Sequence, residues 1–485
     1  MVNFFVSRGF LISVPVALTI YYLLPTARLQ VPLLIGTSLV IFWFAAGNQV
    51  LLVCFAALVT AVTSLGAVQA QPARRRLALW IGVGLNLALL IFFKYKRLLI
   101  PETLYRELFG TSPAMSAIYN FALPVGISFY VFHGISLIVD SYRDRAVIDA
   151  LAEPPDAMTH LVKTYNYITF FPQIVAGPIV KGKAFYGQIR RKRLGDVRWW
   201  DAISALSQGY FLKEVIANNL NQSTAAMTSS VLWSPKPSVE LVAMLVGYSA
   251  QIFADFAGYS LIAIGLGRLF GYELPVNFHR PYFAASFSDF WKKWHISLSS
   301  WLRDYLYIPL GGNRRGRVRT YLNLGIVMFL GGLWHGPEWK YALWGMAHGL
   351  ALSTERLAGE WAERKGWRLS PLAARVIHPF RVGFVFAYVT LAWLLFRMPS
   401  INDVTSFLGA IIHWHSSRQF YTAANLRILI LLSTLVLVHH CLSYWRERNL
   451  VPQPMLALEP TFYGSLLALA WVAGGKETAF IYFQF

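Results

Sequence analysis

The chain has 485 residues, of which 56% are hydrophobic and only 14% charged, with a net charge of +20. Soluble domains run at about 45–50% apolar and about 25% charged, so a soluble enzyme is excluded and a polytopic membrane protein remains. The basic residues form short clusters between apolar runs, which the Lys/Arg bias of cytoplasmic loops explains better than a nucleic-acid surface does.

Both cysteines, Cys54 and Cys441, lie in apolar runs, which leaves no disulfide framework and too few thiolates for a cysteine zinc site. Arg8 precedes an apolar run over 10–24 with no small-residue cleavage site, so this run reads as a first transmembrane helix rather than a removed signal. Further apolar runs follow at 31–46, 50–68, 77–93, 117–139 and 200–218, then 239–270, 321–335, 340–354, 382–397, 425–442 and 456–473. A span needs about 20 residues and several runs are marginal, so we expect an all-α protein with about 11 spans in a single membrane domain over 1–485. The basic clusters Arg74–Arg76, Arg143–Arg145, Lys181–Arg198, Arg314–Arg319, Arg356–Arg381 and Arg446–Arg448 all share one side if the N-terminus is outside. Only Lys94-Tyr-Lys-Arg97 violates that orientation.

Two stretches are not simple spans. Residues 168–180 are too short to cross and contain Pro172, Gly177 and Pro178, so we expect a re-entrant segment forming part of a cavity wall. Residues 284–310 place Trp291, Trp294, Leu298, Trp301, Leu302 and Tyr305 at helical spacing on one face, with Lys292, Lys293, Arg303 and Asp304 among them. That pattern suits a helix lying in the membrane interface, ended by Pro309-Leu-Gly-Gly-Asn-Arg-Arg-Gly316.

Nucleotide-binding glycine loops, HExxH and G-x-S-x-G are all missing from the sequence, so chemistry rests on polar residues at membrane depth. His335 ends an apolar run; sixteen residues beyond Arg319, it lies about 24 Å along a helix. An imidazole there can take a proton from a hydroxyl, or simply be hydrogen-bonded between helices; position alone favours neither. His295 reads locally as an interfacial histidine beside Trp294. His348, on the next run, either faces the same cavity or packs. Asp255 interrupts a long apolar run and either orients a histidine or is structural.

The motifs Phe171-Pro-Gln-Ile-Val-Ala-Gly-Pro178, Arg280-Pro-Tyr282, Phe290-Trp-Lys-Lys-Trp-His295 through Asn313-Arg314, and Gly331-Gly-Leu-Trp-His-Gly336 resemble the membrane-bound O-acyltransferases, in the bacterial branch typified by alginate O-acetyltransferase membrane subunits. The resemblance runs from about residue 10 to the closing Phe480-Ile-Tyr-Phe-Gln-Phe485, with 280–336 as its core. It implies a ring of tilted helices around a tunnel, with His335 as catalytic histidine and His295 as a second polar site. It also implies a multi-pass protein of the bacterial inner membrane that passes an acetyl group from a cytoplasmic donor toward an exopolysaccharide such as alginate or cellulose. Its partners would be a periplasmic SGNH-type acetyltransferase, the polysaccharide synthase and secretion complex, and membrane lipid, but no nucleic acid. One departure stands out: the branch often has a second carboxylate where this chain has Leu261, so no role is carried to that position.

Acetyl-CoA is the expected donor. Its thioester is already activated, so no metal or bound cofactor is called for; a base and donors to the oxyanion suffice. Trp334, Asn313 and backbone amides are candidate donors, and Arg314 and Arg315 candidate partners for the acyl donor's phosphates. The competing readings are a transporter of intact donor or glycan, and O-acylation of peptidoglycan or teichoic acid.

Overall fold

A computed structural model describes residues 5, 8–69, 71–109, 112, 116, 119–144, 156–174, 177–413, 423–450, 457–476 and 478. Among the described residues every regular element is helical, as backbone in lipid demands when no water can satisfy its N–H and C=O groups. Five stretches are long and apolar enough to cross a membrane, Ala27–Val68, Pro72–Leu99, Ser238–Leu269, Pro371–Arg397 and Ala424–Glu447, and the protein is a multi-pass membrane protein. Each of the other apolar runs also carries helix. The run at 117–139 becomes its main helix only at Ile127, because Pro124 lacks an N–H and Gly126 turns the chain with φ 71°.

The chain forms two compact units, one within 1–206 and 262–275, the other within 207–261 and 276–481. In the first, the segment expected to be re-entrant is indeed not a span. Helix Ala157–Thr169 starts on Asp156, whose carboxylate is held below its usual range by the hydroxyl and N–H of Thr159, and the chain breaks after Thr169. A single turn, Phe171–Ile174, and an irregular stretch from Gly177 follow. Irregular backbone this deep needs protein partners, and helix Ile127–Arg143 supplies them. Val180 N–H donates to His133 Nε2 at 3.1 Å, Gly182 N–H donates to Ser136 Oγ at 3.2 Å, and Tyr167 Oη donates to Val180 O at 2.6 Å. The expected cavity wall is corrected here: the segment is buried among these partners, and none of its described residues lines the cavity at His335.

The first unit also accounts for the charge cluster that broke the orientation pattern. Lys94 and Lys96 are buried, donating to Ser128 Oγ and to Phe121 O. Both lysines are thus held by protein partners rather than standing loose in a loop.

In the second unit, helix Arg317–His335 returns as helix Trp339–Arg364 after a turn through Gly336, Pro337 and Glu338. Their backbones touch: a Cβ on Gly345 would overlap Met328 O, and one on Gly332 would overlap Tyr341 O. Between helices in lipid, such small-residue contacts replace the hydrophobic drive available in water. The stretch expected to be one interfacial helix is instead three pieces: Phe287–Lys293, Ile296–Leu302 and a π-helical turn Arg303–Tyr307. Glu355 caps the first piece by accepting from the N–H groups of Phe287 and Ser288.

If His133 pins the irregular segment, His133→Ala strands the Val180 N–H at a cost of about 1–3 kcal/mol. Hydrogen exchange in detergent should then rise at residues 178–182 and stay unchanged in helix Arg317–His335. Equal protection at 178–182 in both proteins would contradict this.

Candidate active site

His295 and His335, forty residues apart in sequence, come together with ring centroids 6.5 Å apart. Each gets there by a different device. His335 is the last residue of its helix and is 3% exposed, enclosed by the rings of Trp334, Trp344 and Phe396 at 5.1–5.2 Å. The Gly332–Gly345 contact sets the Trp344 ring against it.

His295 stands in the break between two helical pieces with φ 44° and ψ 52°, a left-handed conformation that costs a non-glycine residue about 1–2 kcal/mol. The expectation of an interfacial histidine is corrected: its side chain is fully buried, with Phe256 at 4.6 Å and Trp334 at 5.7 Å. What holds the strained turn is Asn277, a residue that sequence reading passed over. Asn277 O accepts from Ile296 N–H at 3.0 Å, its Oδ1 accepts from Ser297 N–H at 3.2 Å, and its Nδ2 donates to Ser260 Oγ at 3.0 Å. His279 N–H, donating to Lys293 O, closes the other side.

Below His335 lies a cavity of about 200 Å³. Leu324, Val327, Met328, Gly331 and His335 form its wall along one face of their helix, eleven residues or about 16 Å from end to end. The opposing wall is Leu298, Ser299, Leu302, Arg303 and Tyr307, and Trp291, Trp344 and Leu352 complete it. The two walls run antiparallel. His295 meets His335, a Cβ on Gly331 would lie 3.1 Å from Leu302 Cδ1, and Asn323 Nδ2 donates to Gly312 O at 2.9 Å. Arg303 and Tyr307 therefore stand at the end near the basic loop, Leu302 and Gly331 form an apolar throat, and Ser299 lies toward the histidines.

The remaining candidates separate. Trp334 packs against both histidine rings but does not line the cavity. His348 is fully buried one ring behind the wall, 4.7 Å from Trp344 and 5.2 Å from Trp291. Asn313 is corrected: it is exposed on the loop before Arg317, at the far end of the helix from His335, and cannot serve an oxyanion there. Arg314 and Arg315 are exposed on that same loop, beyond the Arg303 end of the cavity. Asp255 sits in an ion pair. Its carboxylate pairs with Lys213 Nζ at 2.6 Å, both side chains being buried, and Lys213 also donates to Thr478 O. A buried pair of this kind is costly to break, which fits the structural reading of Asp255.

This geometry can be set beside known proteins. The family model described as MBOAT, membrane-bound O-acyltransferase family, matches residues 150–396. The chain belongs to the membrane-bound O-acyltransferase family. It is 34% identical over 419 residues to a probable alginate O-acetylase of Pseudomonas putida, covering 84% of this chain and 80% of that one. It is 32% identical over 368 residues to a peptidoglycan O-acetyltransferase of Helicobacter pylori, covering 71% and 66%. A teichoic acid D-alanyltransferase of Bacillus subtilis is 27% identical over 260 residues, covering 51% and 63%. This chain is thus a multi-pass membrane O-acyltransferase, and the matched region contains both histidines and the whole cavity wall.

The left-handed turn makes an unusual stability order testable. His295→Gly and His295→Ala lose the same packing, but glycine relieves the positive φ, so the glycine variant should be more stable by about 1 kcal/mol. Thermal unfolding in detergent measures this; an alanine variant as stable as the glycine one would contradict it.

Proposed function

We propose that this O-acyltransferase takes an acetyl group from acetyl-CoA on the cytoplasmic side of the bacterial inner membrane. It passes the group toward the outer face for O-acetylation of an exopolysaccharide, alginate being the best-supported class. The observation that carries this reading is the placement of His335 at one end of an apolar cavity whose other end, with Arg303 and Tyr307, adjoins the basic loop. In this reading Arg314 and Arg315 meet the phosphates of the donor, and the thioester end follows the throat between Leu302 and Gly331. About 11 spans around a tunnel form the frame, supported by the five long apolar helices and by the shorter ones on the remaining apolar runs. Alginate is favoured by the relatives' names: alginate O-acetylases are 33–36% identical to this chain, and the teichoic acid enzyme 27%. A periplasmic SGNH-type acetyltransferase and the polysaccharide secretion complex are the partners this reading calls for.

The chemistry follows from the residues. Neutral His335 takes the proton of an acceptor hydroxyl as its oxygen attacks the thioester carbonyl; the carbon–sulfur bond then breaks and the departing thiolate receives that proton. His295 steadies the acceptor from the other side. The aromatic enclosure of Trp334, Trp344 and Phe396 excludes water, so the acyl group goes to the acceptor rather than to hydrolysis.

General-base assistance is worth about 10²–10⁴ in rate. His335→Ala should lose at least a hundredfold in acetyl transfer from labelled acetyl-CoA, measured in membranes at matched protein abundance. Equal activity of variant and wild type would overturn the assignment and favour a transporter without chemistry of its own.

A further inference from the structure

Attack on a thioester turns its carbonyl oxygen into an oxyanion, which needs a hydrogen-bond donor about 2.7–3.1 Å away in a site from which water is excluded. Sequence suggests backbone amides and two side chains as donors; of the side chains, Asn313 stands at the wrong end of the helix and Trp334 does not line the cavity. The wall of the cavity narrows the choice. Besides His335, the indole rings and the groups at the far mouth, Arg303 and Tyr307, the one polar side chain lining it is Ser299.

The antiparallel register sets its height. His295 lies level with His335 and Leu302 with Gly331, so Ser299, between them in sequence, stands in the last turn below His335. The side chain is also free to be recruited. Its Oγ donates to Trp294 O at 3.4 Å, well beyond the 2.7–2.8 Å common for hydroxyl donors, so rotation about one bond releases it at small cost. Neighbouring Ser297 and Ser300 do not line the cavity, and the Ser300 Oγ donates to Ser297 O at 3.0 Å.

We propose that Ser299 is a catalytic residue whose hydroxyl donates to the carbonyl oxygen of the acyl donor while His335 handles the proton. The proposal rests on the acyl-transfer reading of this site. As the acceptor oxygen bonds to the carbonyl carbon, the C=O electron pair moves onto oxygen and the Ser299 hydroxyl donates to it. When the pair returns, the carbon–sulfur bond breaks and the thiolate takes the proton held on His335. Ser299 itself is neither acylated nor deprotonated.

The test compares wild type, Ser299→Ala and Ser299→Thr at matched membrane abundance, reading kcat and KM separately with labelled acetyl-CoA. Loss of a single oxyanion donor lowers kcat by about 10²–10³. Ser299→Ala should show a fall of that order with KM within about threefold, and Ser299→Thr, which restores a hydroxyl, should recover at least tenfold. An unchanged kcat, a loss carried by KM, or equal losses in the alanine and threonine variants would overturn the proposal while wild type remained active. A wild-type protein that transfers no acetyl group would overturn the acyl-transfer reading and this proposal together.

Discussion

Helices Arg317–His335 and Trp339–Arg364 approach so closely at Gly332 and Gly345 that neither position has room for a Cβ, and a Cβ on Gly336 would overlap the Tyr341 ring. In lipid, backbone contact of this kind sets a helix pair's register with little tolerance, because no hydrophobic effect rewards an approximate fit. Consequences follow outward from it. The pair fixes the turn that ends in His335, seats Trp344 against its ring, and leaves the face Leu324, Met328, Gly331 as a cavity wall to which the partner helix adds Trp344 and Leu352.

The opposite wall depends on strain rather than on close packing. A continuous helix through 287–307 would have carried Trp294 and His295 round with the rest of one face. The left-handed residue instead breaks the helix and turns His295 inward, and Asn277 supplies the hydrogen bonds that keep the break in place. Strained backbone persists only where its surroundings over-determine it, and such places cluster at functional sites. In the proposed function, an apolar throat with polar groups confined to its two ends separates two tasks: recognition of a charged donor near the loop and a dry reaction at the histidines.

How much of this could be read beforehand varies by residue. The all-helical architecture was legible because apolar runs of near-span length have few alternatives in lipid, and each run proved to carry helix. His335 was legible as a deep residue because helix rise converts sixteen positions into a distance. His295 was misplaced, since helical periodicity assumes an unbroken helix and a positive φ at a histidine leaves no mark on that pattern. Asn277 was invisible for a related reason: its partners are backbone N–H groups about twenty residues away, which no spacing rule reports. Asp255 stayed open between two readings because its counter-ion, Lys213, lies 42 positions upstream in an otherwise apolar run. Burial without a visible partner in sequence is weak grounds for a catalytic role.

The central claim is that two histidines, brought together from separate helical pieces, serve one reacting centre. A double-mutant cycle on acetyl transfer, with His295→Ala, His335→Ala and the pair together at matched abundance, tests it most directly. Residues that act as a unit are strongly non-additive, so the account predicts that the double variant is about as slow as His335→Ala alone. Losses that multiply, with each histidine contributing its full factor in the absence of the other, would contradict it.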